Sequence, residues 1–203
     1  MALKIWGSDP EAQPKPRQRF ADDVVGRFRS GHQLGGQPAS LDEWRVTTGD
    51  PEVADKVYEI LGGDAPATWE TKSEDNLEVF TATPEVEIIL ADPKALRQRM
   101  VLWSRAGNGP GPSPQIEVYF RLAQEPDLGI FKYQTGSWSL ASDLVRNETE
   151  EALEEIDGPT LATLAIEEVS FVAKNGPRKG QTVTYNKPVL TIKGAAPEAP
   201  AAE

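Results

Sequence analysis

The chain has 203 residues, 38% of them hydrophobic and 26% charged, a balance that reads as globular and long enough to bury a real core. It has no Cys and one His, His32, which excludes a disulfide framework, a Cys-based zinc site and a thiol nucleophile and leaves little room for His-based metal or Ser–His chemistry. A net charge of −11 argues against broad duplex DNA binding, which needs Lys and Arg to neutralise phosphates, and suits docking on a basic partner.

Residues 1–22 read as an N-terminal arm, because EAQPKPRQRF is polar and Pro-rich and such stretches stay extended. Val24 to Ser30 alternates as a strand, GHQLGG (31–36) breaks it, and Leu41 to Thr48 reads as the next strand, with Trp44 and Val46 on one face. Asp50-Pro51 opens a helix whose apolar positions Val53, Val57, Ile60 and Leu61 share one side, and Gly62-Gly63 closes it. Strands follow over 76–82 and 85–90, then one helical turn from Asp92-Pro93 and a strand over 100–105. Residues 106–115, AGNGPGPSPQ, are the sharpest break, with too much Gly and Pro for a central strand.

Beyond it, 116–123 and 130–139 read as an aromatic antiparallel pair, and Ser142 as the cap of a second helix running to Gly158-Pro159. The last pair of strands, 161–173 and 182–193, carries a basic tip, and 195–203 is a low-complexity tail. The resulting expectation is an α+β fold, mainly antiparallel β with two main helices or a barrel-like core. It forms a single β-rich domain over 23–194 with a Gly/Pro-rich joint at 106–115.

Reactive constellations are not found. GxGxxG, the P-loop and the GxSxG elbow are absent. The acids of 148–157 surround a helix and diverge rather than converge on one point, so no metal, cofactor or catalytic residue is assigned. Asp42-Glu43 and Glu167-Glu168 each put one acid toward a core face, for which a β-bulge in each strand is the expected remedy. Aromatics interleaved with cations recur at 27–29, 103–105, 119–121 and 131–133. Core packing with a basic stripe behind it is the favoured account, and a single-strand stacking platform the alternative.

Three stretches resemble the recombination directionality factors of actinophages: VVGRFRSGHQLGGQPASLDEWRVTTGD (24–50), WETKSEDNLEVFT (69–81) and YFRLAQEPDLGIFKYQTGSWSL (119–140), with LAIEEVSFVAK and YNKPVLTIKG agreeing in style. The resemblance covers roughly residues 20–194. It implies a protein of the host cytoplasm that binds a large serine integrase and shifts it from joining attP with attB to excision from attL and attR. DNA would be touched only through the integrase, with no membrane and no small-molecule substrate. Relatives often carry a longer, Cys-bearing insertion where AGNGPGPSPQ stands here, so nothing tied to that insertion carries over.

The resemblance assigns no contact residues. The residues themselves offer three partner-binding patches: Arg27, Arg29 and His32; the hairpin tip Lys174, Arg178 and Lys179; and the acidic helix with Glu150, Glu151 and Glu154. Against this regulator stand a single-stranded nucleic-acid-binding protein with an aromatic-basic β face and, with least support, a small hydrolase.

Overall fold

The computed structural model describes residues 24–34, 37–71, 73–102, 112–156, 158–177 and 179–197. The arm at 1–22, Trp103, Asp157, Arg178 and residues 198–203 lie outside them, as does most of the 106–115 segment.

Among the described residues, ten strands form one sheet. In chain order they are β1 (Val24–Leu34), β2 (Gln37–Thr48), β3 (Ala67–Thr68), β4 (Leu77–Phe80), β5 (Glu85–Leu90), β6 (Leu96–Leu102), β7 (Pro112–Leu122), β8 (Ile130–Thr135), β9 (Thr160–Val172) and β10 (Thr182–Ala195). Their spatial order is β10-β9-β5-β7-β8-β1-β2-β4-β3, with β6 also on β7. All pairings are antiparallel except β1 with β8. The sheet does not close into a barrel, since β10 and β3 are its ends.

β7 is the hub. Ile116–Phe120 pair with β8 on one edge, while the other edge takes β6 and then β5 at Arg121 and Leu122. The 3-10 turn Pro93–Ala95 makes this switch, with the Asp92 side chain accepting from the Lys94 amide at 2.7 Å. Residues 112–115, expected within a break, are strand. They pair only with β6, so each Pro sits where one edge of β7 is open and a missing amide is tolerated.

Helix α1 (Pro51–Leu61) begins and ends where its residues dictate. Asp50 accepts from the Glu52 amide at 2.9 Å, and Gly62, at φ 64°, caps the far end. Val53, Ala54, Val57 and Leu61 are buried against β2 and β4. Each large aliphatic side chain so buried contributes about 1.5–3 kcal/mol.

The second expected helix is two. α2 (Trp138–Arg146) is capped by Ser137, not Ser142, and α3 is Thr149–Ile156. The phase of the apolar residues requires the break. Leu144 and Leu153 are both buried, yet nine residues span about two and a half turns and would put them on opposite sides of a straight helix. Glu148, at φ 49°, makes the corner. Because α2 starts at Trp138, the strand expected over 130–139 ends at Thr135.

An aromatic cluster forms the core. Phe28 meets Trp44, Phe120 and Phe131 edge-on, with ring centroids 5.7, 5.2 and 5.5 Å away. Trp44 meets Tyr133 at 5.1 Å and donates its indole N–H to the Pro84 carbonyl at 2.9 Å. Such pairs add about 0.5–1.5 kcal/mol each beyond the area they bury.

The Asp42-Glu43 conflict is resolved as expected, because the β1–β2 register shifts between Arg29↔Arg45 and Gly31↔Ser40, opposite residues 41–44. Glu167-Glu168 needs no bulge. The β9–β10 register is unbroken there, and both acids are exposed because β5 has already ended at Ala165 of β9. Among the described residues no helix is long and apolar enough to cross a membrane.

Candidate functional site

The cationic side chains gather on the sheet face opposite the aromatic core. Pairing of Arg27 with Thr47 and Lys132, and of Arg29 with Arg45, sets them side by side across β8, β1 and β2. Arg27 pairs with Asp75 at 3.0 Å, and Lys132 with Glu117 at 3.1 Å. Arg45 is almost wholly buried, with Glu78 Oε2 2.6 Å from its Nε and its guanidinium 4.3 Å from the centre of the Trp69 ring. Its Nη2 is also 2.6 Å from that oxygen but off the hydrogen-bond direction, so charge alone holds it.

Arg29 is the cation in excess. Its Nε donates to Thr47 Oγ1 at 3.1 Å, and no carboxylate among the described residues forms an ion pair with it. Burial first, then the neighbouring Arg45, lowers its pKa from the usual arginine value. Lys132 moves the other way. Burial disfavours its charge, but the Tyr119 hydroxyl and the Glu117 carboxylate outweigh that and raise its pKa.

Strand lengths open a groove beside Arg29. β8 ends at Thr135, whereas β1 continues to Leu34 and β7 begins as far back as Pro112. The gap, of about 480 Å³, is lined by Arg27, Arg29, Ser30, Gln115, Lys132 and Thr135. On the other side of Arg29 a second hollow, of about 490 Å³, holds His32, Arg45, Trp69 and Glu70. Arg27 lines the first gap, His32 the second hollow and Arg29 both, and His32 also lies 6.0 Å from the Phe80 ring.

The other two patches lie on separate elements. Lys174 and Lys179 are exposed at the β9–β10 tip, and Glu150, Glu151 and Glu154 are exposed on α3. Arg178 lies outside the described residues.

The aromatic-basic pattern resolves into two faces. Phe28, Phe120, Phe131 and Tyr133 are core, at most 2% exposed, so they offer no stacking platform. Arg45, Glu78, Asp75 and Trp69 were not anticipated. The alternation of Trp44-Arg45-Val46 places Arg45 behind the core, but its meeting with Arg29 depends on the extra residues at 41–44.

Phe171 and Tyr185 were missed as well, and they are 49% and 43% exposed. Among the described residues no group of three or more His, Cys, Asp or Glu could hold a metal ion.

No solved structure matches this chain. Residues 25–112, which run from β1 to the first residue of β7, match the model of the Gp3-like family, described as recombination directionality factor-like.

Proposed function

We propose that this chain is a recombination directionality factor that binds a large serine integrase and turns it from attP × attB integration toward attL × attR excision. The observation that carries the reading is the match of residues 25–112 to the recombination directionality factor-like family. The surface chemistry suits a protein that works by contact: an acidic chain with a basic groove, a basic ribbon tip and an acidic helix presents charge of both signs to a partner.

Such a factor makes and breaks no bond. It supplies contact energy to one arrangement of the integrase in preference to another, and a differential affinity of about 3 kcal/mol shifts that balance more than a hundredfold. DNA is engaged through the integrase, in keeping with the net charge of −11.

The test uses the purified chain and the large serine integrase encoded in the same genome, with attP × attB and attL × attR plasmid pairs. Excision should appear, and integration fall, as the chain is added. Unchanged recombination in both directions at saturating chain overturns the reading.

A further inference from the structure

The β9–β10 ribbon outruns the sheet. β5 pairs with β9 only up to Ala165, while β9 and β10 stay paired with each other out to Val172 and Thr182. A two-stranded ribbon beyond its sheet gains little from its own pairing, so the side chains it carries there need another reason.

Val169 pairs with Tyr185 and Phe171 with Val183, so these four share one face. The stripe does not continue the core row, because Ala162, Leu164 and Ile166, the buried residues of β9 that face the core, occupy the alternate positions. Phe171 and Tyr185 touch edge-on with centroids 6.3 Å apart, yet 49% and 43% of their surfaces remain open. Beside them Phe171, Val172, Lys174, Pro177 and Val183 line a concavity of about 760 Å³. An uncovered aromatic stripe on a projecting element marks a contact surface.

Charge says what kind of partner fits. Residues 169–186 contain three basic residues and no acidic one, in a chain that otherwise carries a large acidic excess. Lys174 and Lys179 are exposed at the end of the stripe.

We infer that the apolar face of this ribbon, Val169, Phe171, Val183 and Tyr185 with Lys174 and Lys179 at its tip, is the surface that docks on the partner recombinase, at an apolar patch with an acidic rim. This inference rests on the function proposed above and adds to it the part of the chain that makes the contact. The ribbon lies outside residues 25–112, so the family match does not assign it. A protein surface fits the stripe better than a nucleic acid does, since the four facing side chains are apolar or aromatic and the cations stand only at the tip.

The experiment measures the affinity of the full chain for the large serine integrase encoded in the same genome, without DNA, alongside attL × attR recombination. The variants are Phe171→Ser with Tyr185→Ser, Lys174→Glu with Lys179→Glu, and Tyr58→Ser as an exposed aromatic on another element. The aromatic double variant should bind about 30-fold or more weakly and lose excision in proportion. The charge-reversed tip should associate more slowly, with the deficit largest at low salt. Tyr58→Ser should match the parent.

If the parent binds and drives excision but both ribbon variants do the same within about twofold, the inference is overturned and the proposed function stands. If the parent neither binds nor redirects the integrase, both fall. A parent that dimerises through the stripe, or whose tip variant loses DNA binding while keeping integrase binding, also overturns it.

Discussion

Arg45 and Glu78 form a largely buried ion pair. The Arg45 side chain is 4% exposed, Glu78 is its ion-pair partner at 2.6 Å, and the other face of the guanidinium lies on Trp69. Removing one member of a buried pair leaves the other charge uncompensated, so Glu78→Gln is expected to cost about 3 kcal/mol, read as a lower urea midpoint at unchanged slope. Replacing both, Arg45→Met with Glu78→Leu, should cost less than the single change, because no stranded charge remains.

Tyr133 sets a second expectation at this scale. Burial raises its pKa, against the hydrogen bonds from Ser30 and Thr135 that lower it, and its hydroxyl lies 3.0 Å from Ser30 Oγ. Lys132 next to it is also raised. Both groups hold their protons more tightly folded than unfolded. The associated stability is therefore intact below about pH 10, where the unfolded groups begin to titrate, and is lost as pH climbs through the higher folded values. Tyr133→Phe should cost about 1 kcal/mol at neutral pH through the lost hydrogen bond, and should fall less steeply above pH 10. Urea midpoints between pH 8 and pH 11 would show it, and a slope equal to the parent's would remove Tyr133 from the account.

Among the elements, the α2–α3 corner shows how a local misfit is accepted for the sake of packing. Glu148 takes φ 49° so that Leu144 and Leu153 can both face the core. An L residue in that region costs about 1–2 kcal/mol, of which glycine recovers part after its own entropy loss. Glu148→Gly should therefore raise stability by about 0.5–1 kcal/mol, measured as an increase in Tm, whereas Asn147→Gly, at φ −90°, should give no gain.

The same corner marks where local signals stop. α1 was legible to the residue, since Asp50, Pro51 and Gly62 are its punctuation and they act over a few ångströms. β5, β9 and β10 fall close to the strands read over 85–90, 161–173 and 182–193. The start of α2 was hidden because the aromatic run Ile130 to Trp138 reads as one strand and Ser137 is a weaker signal than the alternation around it. The groove at Arg29 was not legible. It exists because β8 is shorter than both its neighbours, and the β1–β8 pairing joins segments a hundred residues apart. Arg27, Arg29 and His32 are candidates that the first strand and its turn offer directly, but Asp75, Arg45 and Glu78 meet Arg27 and Arg29 only through pairings that no short window of sequence contains.

For the whole molecule, the burial of the aromatic face of the central strands argues against single-strand stacking there, while the open rings Phe171 and Tyr185 stand apart on the β9–β10 ribbon. Stacking on bases needs aromatic rings open to solvent, worth about 1–3 kcal/mol per base. Here Phe28, Phe120, Phe131 and Tyr133 are spent on the core, and Tyr119 lies beneath Arg97 and Lys132, at 4.9 and 5.0 Å from its ring centre. The cations behind them are largely engaged by Asp75, Glu78 and Glu117, and the chain as a whole carries −11. Phosphate binding driven by counterion release therefore has little to act on in this groove. The expected outcome is no saturable change in the anisotropy of a labelled single-stranded oligonucleotide at low salt, with or without the Arg29→Ala change. Saturable binding that weakens steeply with added salt and is lost in Arg29→Ala would instead make the groove a nucleic-acid site, and the integrase-binding account would then have to share this face of the sheet with DNA.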